Sequence, residues 1–207
     1  MPYELGETPW FVTANNFLNQ TKYPKENVIR RLKRWTDTHQ GEETGESQIR
    51  AWKNCYDVLQ HALKSLSIEQ RRFYLVFEYV LPLHDPASFS FIDENHLRAD
   101  VTLVSRDNVL VLEFKDRDDS YEGLFKAAEK YKKRYENFHV ESRGKKIESI
   151  LVQTLAHDLV GAKPGFTGDL IKTCSPDHLA EAIAKEMGNQ LQYPIDMKKW
   201  VESEFHR

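Results

Sequence analysis

The chain has 207 residues, of which 29% are charged, and a net charge of −3, so it presents no general positive field that would attract nucleic acid or an anionic membrane. No apolar run approaches the roughly 20 residues of a transmembrane helix, and the start, MPYELGETPW, lacks the pattern of a signal peptide. The two cysteines, Cys55 and Cys174, are too few for a disulfide framework or a zinc site, and we expect a reducing, cytoplasmic location.

The first 45 residues are predicted to form an N-terminal helical extension. Residues 22–34 are rich in lysine and arginine, and an apolar face with helical spacing is formed by Val28, Ile29, Leu32 and Trp35. The basic side is either a solvent-exposed face, which we favour, or an arm that contacts phosphate groups. A loop is predicted from His39 to Glu46.

Residues 46–155 are predicted to form the core of the fold. Helices are expected over 46–66 and 121–139, because apolar residues recur there at helical spacing. The strands expected from β-rich apolar runs are 73–81, 97–105, 108–115 and 147–155. The order helix, strand, strand, strand, helix, strand predicts a central sheet with helices on its faces, an α/β fold of the α+β sandwich kind.

Residues 156–207 are predicted to form a C-terminal helical extension of the same domain. A loop is expected from Gly161 to Gly168, where glycine and proline are frequent. A helix is expected between Pro176 and Leu191, and a short helix around Trp200.

The stretch LRADVTLVSRDNVLVLEFKD, residues 97–116, places charges inside a predicted hairpin. Side chains alternate between the two faces of a strand, so Glu113 and Lys115 share one face. If the turn holds an even number of residues, Asp100 lies opposite Glu113 or Lys115 on that face, and a slip of one residue would separate them. The alternative is that these charges lie at exposed strand ends and pair only weakly.

Two carboxylates and an ammonium group in apolar surroundings suit metal-assisted phosphodiester hydrolysis, because buried charges have to be paired or bound to a metal. Asp100, Glu113 and the carbonyl oxygen of Phe114 would bind Mg²⁺, for which Mn²⁺ can substitute. A bound metal polarises a phosphoryl oxygen and lowers the pKa of a bound water, and Lys115 would hold or deprotonate the attacking water. Paired carboxylates also occur in glycosidases, but the basic helix over 121–139 favours a phosphate substrate.

Asp100 followed by Glu113-Phe114-Lys115 resembles the motif of the PD-(D/E)XK nuclease superfamily, and the predicted order of elements resembles its core. The resemblance covers about residues 46–155. It implies a restriction-endonuclease-like fold and a metal-dependent nuclease that acts on DNA or RNA, with Asp100 and Glu113 as metal ligands and Lys115 as the catalytic lysine. A further carboxylate ligand would be Glu46 or Glu78, and the sequence leaves both open.

Short stretches are also similar to the nuclease-like N-terminal module of bacterial nuclease–helicase fusions, namely FEYVLP, LRAD, VLVLEFK, ENFHVES and WVES. This likeness implies that an ATPase or helicase, as a further domain or a separate subunit, is a partner of the chain. No G-x-x-x-x-G-K-[ST] motif occurs in the sequence, so we expect no ATPase site within the chain itself.

The predicted helix over 121–139 carries the candidate nucleic-acid contacts, which are Lys126, Lys130, Tyr131, Lys133 and Arg134. Tyr131 matches the tyrosine of the Q-x-x-x-Y pattern of exonuclease-type members of the superfamily, whereas Ala127 stands at the glutamine position. Tyr131 and Tyr135 also lie on the apolar stripe of the helix, and we favour a core position for both. Because of Ala127, a nuclease-fold module that binds nucleic acid or a protein with little or no cleavage stays open as an alternative. A third alternative, a structural domain of a larger ATPase, is suggested by the abrupt end after Trp200.

Overall fold

The computed structural model describes residues 10–40, 43–81, 97–117, 122–189 and 195–203. Within these ranges lie the strands β1 (Trp10–Thr13), β2 (Tyr74–Leu81), β3 (Leu97–Val104), β4 (Asn108–Lys115), β5 (Lys146–Gln153), β6 (Val160–Pro164) and β7 (Leu170–Cys174). The same ranges contain the helices α1 (Ala14–Phe17), α2 (Lys25–Gln40), α3 (Glu46–Lys64), α4 (Glu122–Phe138), α5 (Leu179–Met187) and α6 (Met197–Val201). The strands form one mixed sheet in the order β1-β2-β3-β4-β5-β7-β6. The α/β class that the sequence predicts is therefore confirmed.

Helices cover both faces of this sheet. α2, α3 and α5 pack on one face in an apolar cluster that includes Leu59 and Leu103. α4 and α6 pack on the other face in a second cluster that includes Tyr79 and Val111. The central strands are apolar on both sides for this reason. None of the helices in the described ranges has the length and apolar character that crossing a membrane would require.

The hairpin of β3 and β4 has the register that the sequence predicts. Its turn holds two residues, because the N–H of Ser105 donates to the carbonyl oxygen of Asn108 over 2.9 Å. The two strands stay paired up to the position next to Asp100, which places Asp100 level with Glu113. The predicted even-numbered turn is confirmed.

The alternation of faces breaks at Glu78 in the middle of β2. Phe77 packs on the α3 side of the sheet and Tyr79 on the α4 side, although a regular strand would place both on one face. Glu78 has a φ of 51°, in the left-handed region that residues other than glycine seldom adopt. At this one residue, therefore, the side chains of β2 exchange the faces of the sheet on which they lie.

β3 turns over at the facing position, which is Asp100. Ala99 packs on the α4 side of the sheet and Val101 on the α3 side. β2 and β3 keep the same register before and after the break, so no residue is inserted and the two strands turn over together. The charged residues of the hairpin thus meet at a break in the pleat, and not by the regular alternation that the sequence suggests.

The N-terminal extension is not wholly helical, and the prediction is wrong at two points among the described residues. β1 pairs with β2 and adds an edge to the sheet, where a helical extension was expected. α2 continues to Gln40, past the start of the loop predicted from His39. Four residues are too few to show the apolar alternation of a strand, so β1 could not be predicted from the sequence pattern.

The C-terminal extension also differs from the prediction, because it contributes β6 and β7 as well as helices. β6 occupies much of the segment predicted to be a loop from Gly161 to Gly168. It is the outermost strand of the sheet, and proline is tolerated there because one side of an edge strand makes no ladder hydrogen bonds. Since its side chains are largely exposed, β6 lacks the apolar alternation that identifies a strand. The helices expected near Pro176 and Trp200 are confirmed as α5 and α6.

A buried histidine joins α4 to α6 on the second face of the sheet. His139 lies between the rings of Tyr79, Tyr135 and Trp200. Its Nε2 is 3.1 Å from the carbonyl oxygen of Trp200 and its Nδ1 is 2.8 Å from the hydroxyl of Ser142. Burial lowers the pKa of His139 to about 3, because the apolar surroundings disfavour the imidazolium.

This histidine predicts an acid-sensitive contribution to stability. The pKa of His139 is lower in the folded chain than its ordinary value of 6.5, so the unfolded chain binds the proton first and stability is lost as the pH falls below 6.5. The stability advantage of the wild type over His139→Gln should shrink by about 2 kcal/mol between pH 7 and pH 5. Urea unfolding at the two pH values measures it. The matched variant His61→Gln, at an exposed histidine, should show no such change, and equal shrinkage in both variants would contradict the assignment.

Candidate functional site

A cavity of about 130 Å³ lies between α3 and the ends of the central strands. Its charged lining residues are Glu78, Asp100 and Lys115, one from each of β2, β3 and β4. α3 closes the opposite wall with the side chains of Trp52 and Cys55. Two of the predicted charged residues of the hairpin, Asp100 and Lys115, therefore line a concave site, and Glu113 is joined to it through its ion pair with Lys115.

Asp100 is held by the backbone of the neighbouring strand. The N–H of Phe114 donates to Oδ2 of Asp100 over 2.8 Å. Burial raises the pKa of Asp100, while the charge of Lys115 and the Phe114 hydrogen bond oppose the rise. The amide fixes one carboxylate oxygen and leaves the other one to face the site.

Glu113 and Lys115 form an ion pair next to this aspartate. Nζ of Lys115 is 2.6 Å from Oε1 of Glu113, whose side chain is only 5% exposed. The second oxygen, Oε2 of Glu113, is buried and has no hydrogen-bond partner. Burial, and then the charge of Asp100, raise the pKa of Glu113 to about 8, and Lys115 opposes this shift. A buried acceptor without a partner is uncommon in folded proteins.

Glu78 is buried beside the cavity, but both of its oxygens are engaged. Nε of Arg98 is 2.5 Å from Oε2 of Glu78, and the indole N–H of Trp52 donates to Oε1 over 2.6 Å. Burial raises the pKa of Glu78 to about 7, opposed first by Arg98. Glu78 therefore holds Arg98 and Trp52 in place, and both of its oxygens are already used in these contacts.

Glu46, the other candidate for an additional ligand, is the first residue of α3 and is exposed. It does not line the cavity. Of the two alternatives that the sequence leaves open, only Glu78 is brought to the charged cluster. Sequence analysis missed Arg98, although it stands two residues before Asp100, because its partner Glu78 lies on another strand.

The predicted nucleic-acid contacts on α4 fall into different environments. Lys133 forms ion pairs with Asp169 at 2.7 Å and Glu136 at 3.2 Å. The guanidinium of Arg134 lies 5.4 Å from the centre of the Phe138 ring. Lys133 and Arg134 therefore contribute to the packing of α4.

The other basic candidates lie closer to the start of α4. Lys126 is partly exposed and Lys130 exposed, and Nζ of Lys126 is 5.8 Å from the centre of the Phe166 ring. Lys126 and Lys130 are thus placed to meet a ligand on this surface.

Tyr131 belongs to the core, as favoured from the sequence, yet it lies near the carboxylates. Its ring is buried in the cluster under α4. Burial raises the pKa of Tyr131, and the charges of Glu113 and Asp100 raise it further. Tyr135 is fully buried, with its hydroxyl 2.9 Å from that of Thr102. Tyr131 is therefore the α4 residue that adjoins the charged cluster.

The donor set fits a magnesium ion better than a transition metal. No group of three or more His, Cys, Asp or Glu side chains suited to a metal occurs in the part of the chain that the structure describes. Mg²⁺ needs only one or two carboxylates, because it keeps several waters and binds substrate phosphates. Asp100, the unpartnered oxygen of Glu113 and the carbonyl of Phe114 supply such hard oxygen atoms. Cys55 is buried and burial raises its pKa well above the ordinary value, so it is unsuited to act as a thiolate ligand.

The raised pKa of Glu113 predicts a variant that gains stability. Since the folded pKa exceeds the ordinary value of 4.5, the folded chain binds the proton first and stability is lost as the pH rises towards about 8. Glu113→Gln removes this loss, so its stability relative to wild type should rise with pH, on the order of 1 kcal/mol per pH unit between pH 5 and pH 8. Urea unfolding in EDTA tests it.

A matched control for this measurement is Asp57→Asn on the exposed side of α3, where Asp57 pairs with Lys25 at 2.8 Å. Its effect on stability should be small and nearly independent of pH, as for other surface ion pairs. A Glu113→Gln protein that is less stable than wild type by the same amount at every pH would contradict the buried, costly carboxylate.

Comparisons of the chain with models of known protein families, with curated proteins and with solved structures returned no match. The cavity itself is lined by two carboxylates, Glu78 and Asp100, and by the ammonium group of Lys115, and Glu113 adjoins them through its ion pair with Lys115.

Proposed function

We propose that this chain is a metal-dependent nuclease that hydrolyses phosphodiester bonds of DNA or RNA, with Asp100, Glu113 and Lys115 at its active site. The observation that carries the proposal is Oε2 of Glu113, which is buried without a hydrogen-bond partner beside a second carboxylate and a lysine. Leaving such an acceptor unsatisfied costs about 1–3 kcal/mol or more when it is charged. A cation at this point would offset that cost.

Asp100 and Glu113, together with the carbonyl oxygen of Phe114, would hold Mg²⁺ or Mn²⁺. When bound, the ion supplies a Lewis acid for a phosphoryl oxygen and lowers the pKa of a bound water. The hydrogen bond from the Phe114 amide keeps Asp100 in place, so the carboxylate needs little reorganisation when a ligand arrives.

Lys115 is the residue placed to handle the attacking water. Its ammonium group is fixed by Glu113 at 2.6 Å, and its side chain is 34% exposed, so it reaches both the buried carboxylate and the open side of the cavity. There the ammonium group would donate a hydrogen bond that orients a water oxygen towards phosphorus, and in its neutral amine form Lys115 would accept the proton of that water. The water forms the new P–O bond, the bond to the departing sugar oxygen breaks, and that oxygen takes up a proton.

The order of elements supports the same proposal. α3, β2, β3, β4, α4 and β5 follow one another, which is the order expected for a restriction-endonuclease-like core of the PD-(D/E)XK type. The charged residues lie on three adjacent strands of the sheet, β2, β3 and β4. The fold alone does not imply an activity, so the proposal depends on the cavity.

A second candidate function is a nucleic-acid or protein-binding module that does not cleave, as the partner of an ATPase or helicase. Ala127 favours it, because the α4 turn before Tyr131 presents a methyl group and no hydrogen-bonding amide.

Cleavage by variants of the active site separates the two functions. With Mg²⁺ or Mn²⁺, the wild type should cleave a supercoiled plasmid or a labelled single-stranded oligonucleotide. Lys115→Ala should lower the rate roughly 10²- to 10⁴-fold, the range for loss of a proton-transferring group, and Asp100→Ala should lower it at least as much. Gel electrophoresis of time courses with excess substrate measures these rates.

Two surface variants serve as controls for these rates, Asp57→Asn and Lys185→Ala, since both residues are exposed and lie outside the charged cluster. Both should retain the wild-type rate. Cleavage that persists in Lys115→Ala and Asp100→Ala would trace the activity to a contaminant or another site and overturn the assignment. A wild type without cleavage on either substrate would favour the binding module.

Metal binding can be tested without any turnover. A ligand at about 100 times its Kd stabilises the folded chain by about 2.7 kcal/mol, which corresponds to a rise in Tm of roughly 5–10 °C for a chain of this size. Mg²⁺ or Mn²⁺ should produce such a rise in the wild type and a much smaller one in Asp100→Asn and Glu113→Gln. Differential scanning fluorimetry against EDTA measures it, with Ca²⁺ as a non-catalytic comparison. Equal shifts in wild type and both variants would place the ion elsewhere.

A further inference from the structure

The loop between β6 and β7, residues 165–169, is held against α4 by a buried carboxylate. Glu129 of α4 is buried and accepts hydrogen bonds from the N–H of Phe166, the N–H of Thr167 at 3.0 Å and the hydroxyl of Thr167 at 2.6 Å. A Cβ at Gly165 would collide with the Glu129 side chain, so the close approach requires glycine. The loop is therefore built into one conformation.

This fixed loop presents a large aromatic side chain to solvent. Phe166 is 78% exposed, and Leu170 just after the loop is 63% exposed. Single exposed apolar residues are common on protein surfaces. Here, however, hydrogen bonds to the buried carboxylate of Glu129 fix the backbone next to the exposed ring. This support indicates that the ring has a function.

One basic side chain lies against the ring, and two more are exposed on the neighbouring elements α4 and β6. Nζ of Lys126 lies 5.8 Å from the centre of the Phe166 ring, and Lys130 is exposed one turn further along α4. On the facing strand, Lys163 is exposed and its Nζ lies 5.5 Å from the ring of Phe125. Aromatic side chains combined with basic ones are the means by which proteins bind unpaired nucleic-acid strands.

We propose that Phe166 is a stacking platform for an unpaired base of single-stranded nucleic acid, whose phosphates contact Lys126, Lys130 and Lys163. This inference rests on the proposed function and names the form of its substrate. An unpaired base has a free face for the ring, whereas bases inside a duplex are already stacked on each other. A second copy of the chain fits less well, because a symmetric contact would bring the same lysines together.

Leu170, which follows the loop, can be placed relative to the candidate active site through the sheet. Leu151 of β5 is level with Glu113 on one side and with Thr173 of β7 on the other. Leu170 is three residues before Thr173, so two strand spacings and three residues separate it from Glu113, roughly 14 Å. The end of the loop that joins β7 therefore belongs to the same sheet as Glu113.

Fluorescence anisotropy with fluorescein-labelled dT20 in EDTA tests the platform. All proteins carry Asp100→Ala, so neither metal nor cleavage affects the reading. Phe166→Ala should weaken binding roughly 5- to 150-fold, which is the measured worth of stacking one base expressed as a ratio of Kd values. Phe166→Tyr keeps the aromatic face and should bind within about twofold of the parent.

Ile68→Ala is the matched control, because Ile68 is also exposed, at 60%, but lies after α3 and has no role in the proposal. It should leave the Kd unchanged. Lys126→Ala and Lys163→Ala should each reduce the slope of log Kd against log salt by about 0.7, as expected when one contact to a single strand is lost. Circular dichroism should show wild-type folding for all of these exposed positions.

Failure of this inference can be told apart from failure of the proposed function. If Phe166→Ala binds dT20 like its parent, or the parent binds no dT20, the platform is wrong, whether or not the wild type cleaves with Mg²⁺. If the wild type cleaves nothing but Phe166→Ala still weakens binding, the platform stands and the nuclease proposal fails. A dimer that sedimentation velocity detects in the parent but not in Phe166→Ala, with unchanged dT20 binding, would assign the ring to a second copy and overturn the proposal.

Discussion

Three carboxylates from neighbouring strands, Glu78, Asp100 and Glu113, are withdrawn from bulk water at one end of the central sheet. Their pKa values are all raised by burial, because an ionised group loses solvation there. Two cations compensate for part of this charge: Arg98 pairs with Glu78 and Lys115 with Glu113. One buried oxygen of Glu113 has no hydrogen-bond partner. Three buried carboxylates thus share two cations at this point of the sheet.

The need to pair these buried charges explains features of the fold that otherwise have no evident role. Glu78 adopts a positive φ, and strain of this kind persists only where the surroundings enforce it. The change of face at Glu78 brings its carboxylate to Trp52 on α3, while Tyr79 returns to the core under α4. A regular strand would place Glu78 under α4 and away from Trp52. The strained backbone at Glu78 therefore lowers local stability but produces this arrangement of charges, as is common at functional sites.

The local parts of this arrangement could be predicted from the sequence, and the long-range parts could not. The register of Asp100 and Glu113 depends on the length of one turn, and the apolar helices and strands of the core show their own periodicity. The pair of Arg98 and Glu78 joins two strands whose register no local pattern specifies. β1, β6 and β7 are short strands at or near the edges of the sheet, where exposed side chains or few residues remove the alternation on which strand prediction depends.

The role inferred for Phe166 could not be predicted from the sequence either. In the sequence it lies in a segment rich in glycine that is typical of a loop, and nothing marks it as exposed. Its significance depends on Glu129, which is 37 residues earlier in the chain and which the helical pattern of α4 presents as one more charged residue. A site formed by a helix and a distant loop becomes visible only when both are placed in space.

α4 links the two sites through its helical geometry. Ala127 and Tyr131 are four residues apart and lie on one side of the helix, and Tyr131 is near enough to feel the charges of Glu113 and Asp100. Lys126 and Glu129 are three residues apart and lie on the neighbouring side, towards the loop of Phe166. The methyl group of Ala127 offers a passing strand no hydrogen bond at the carboxylates. On the proposed function, stacking on Phe166 and phosphate contacts on the neighbouring side of α4 would position the strand instead. The rigidity of α4 would hold those contacts at a constant distance from the reacting phosphate.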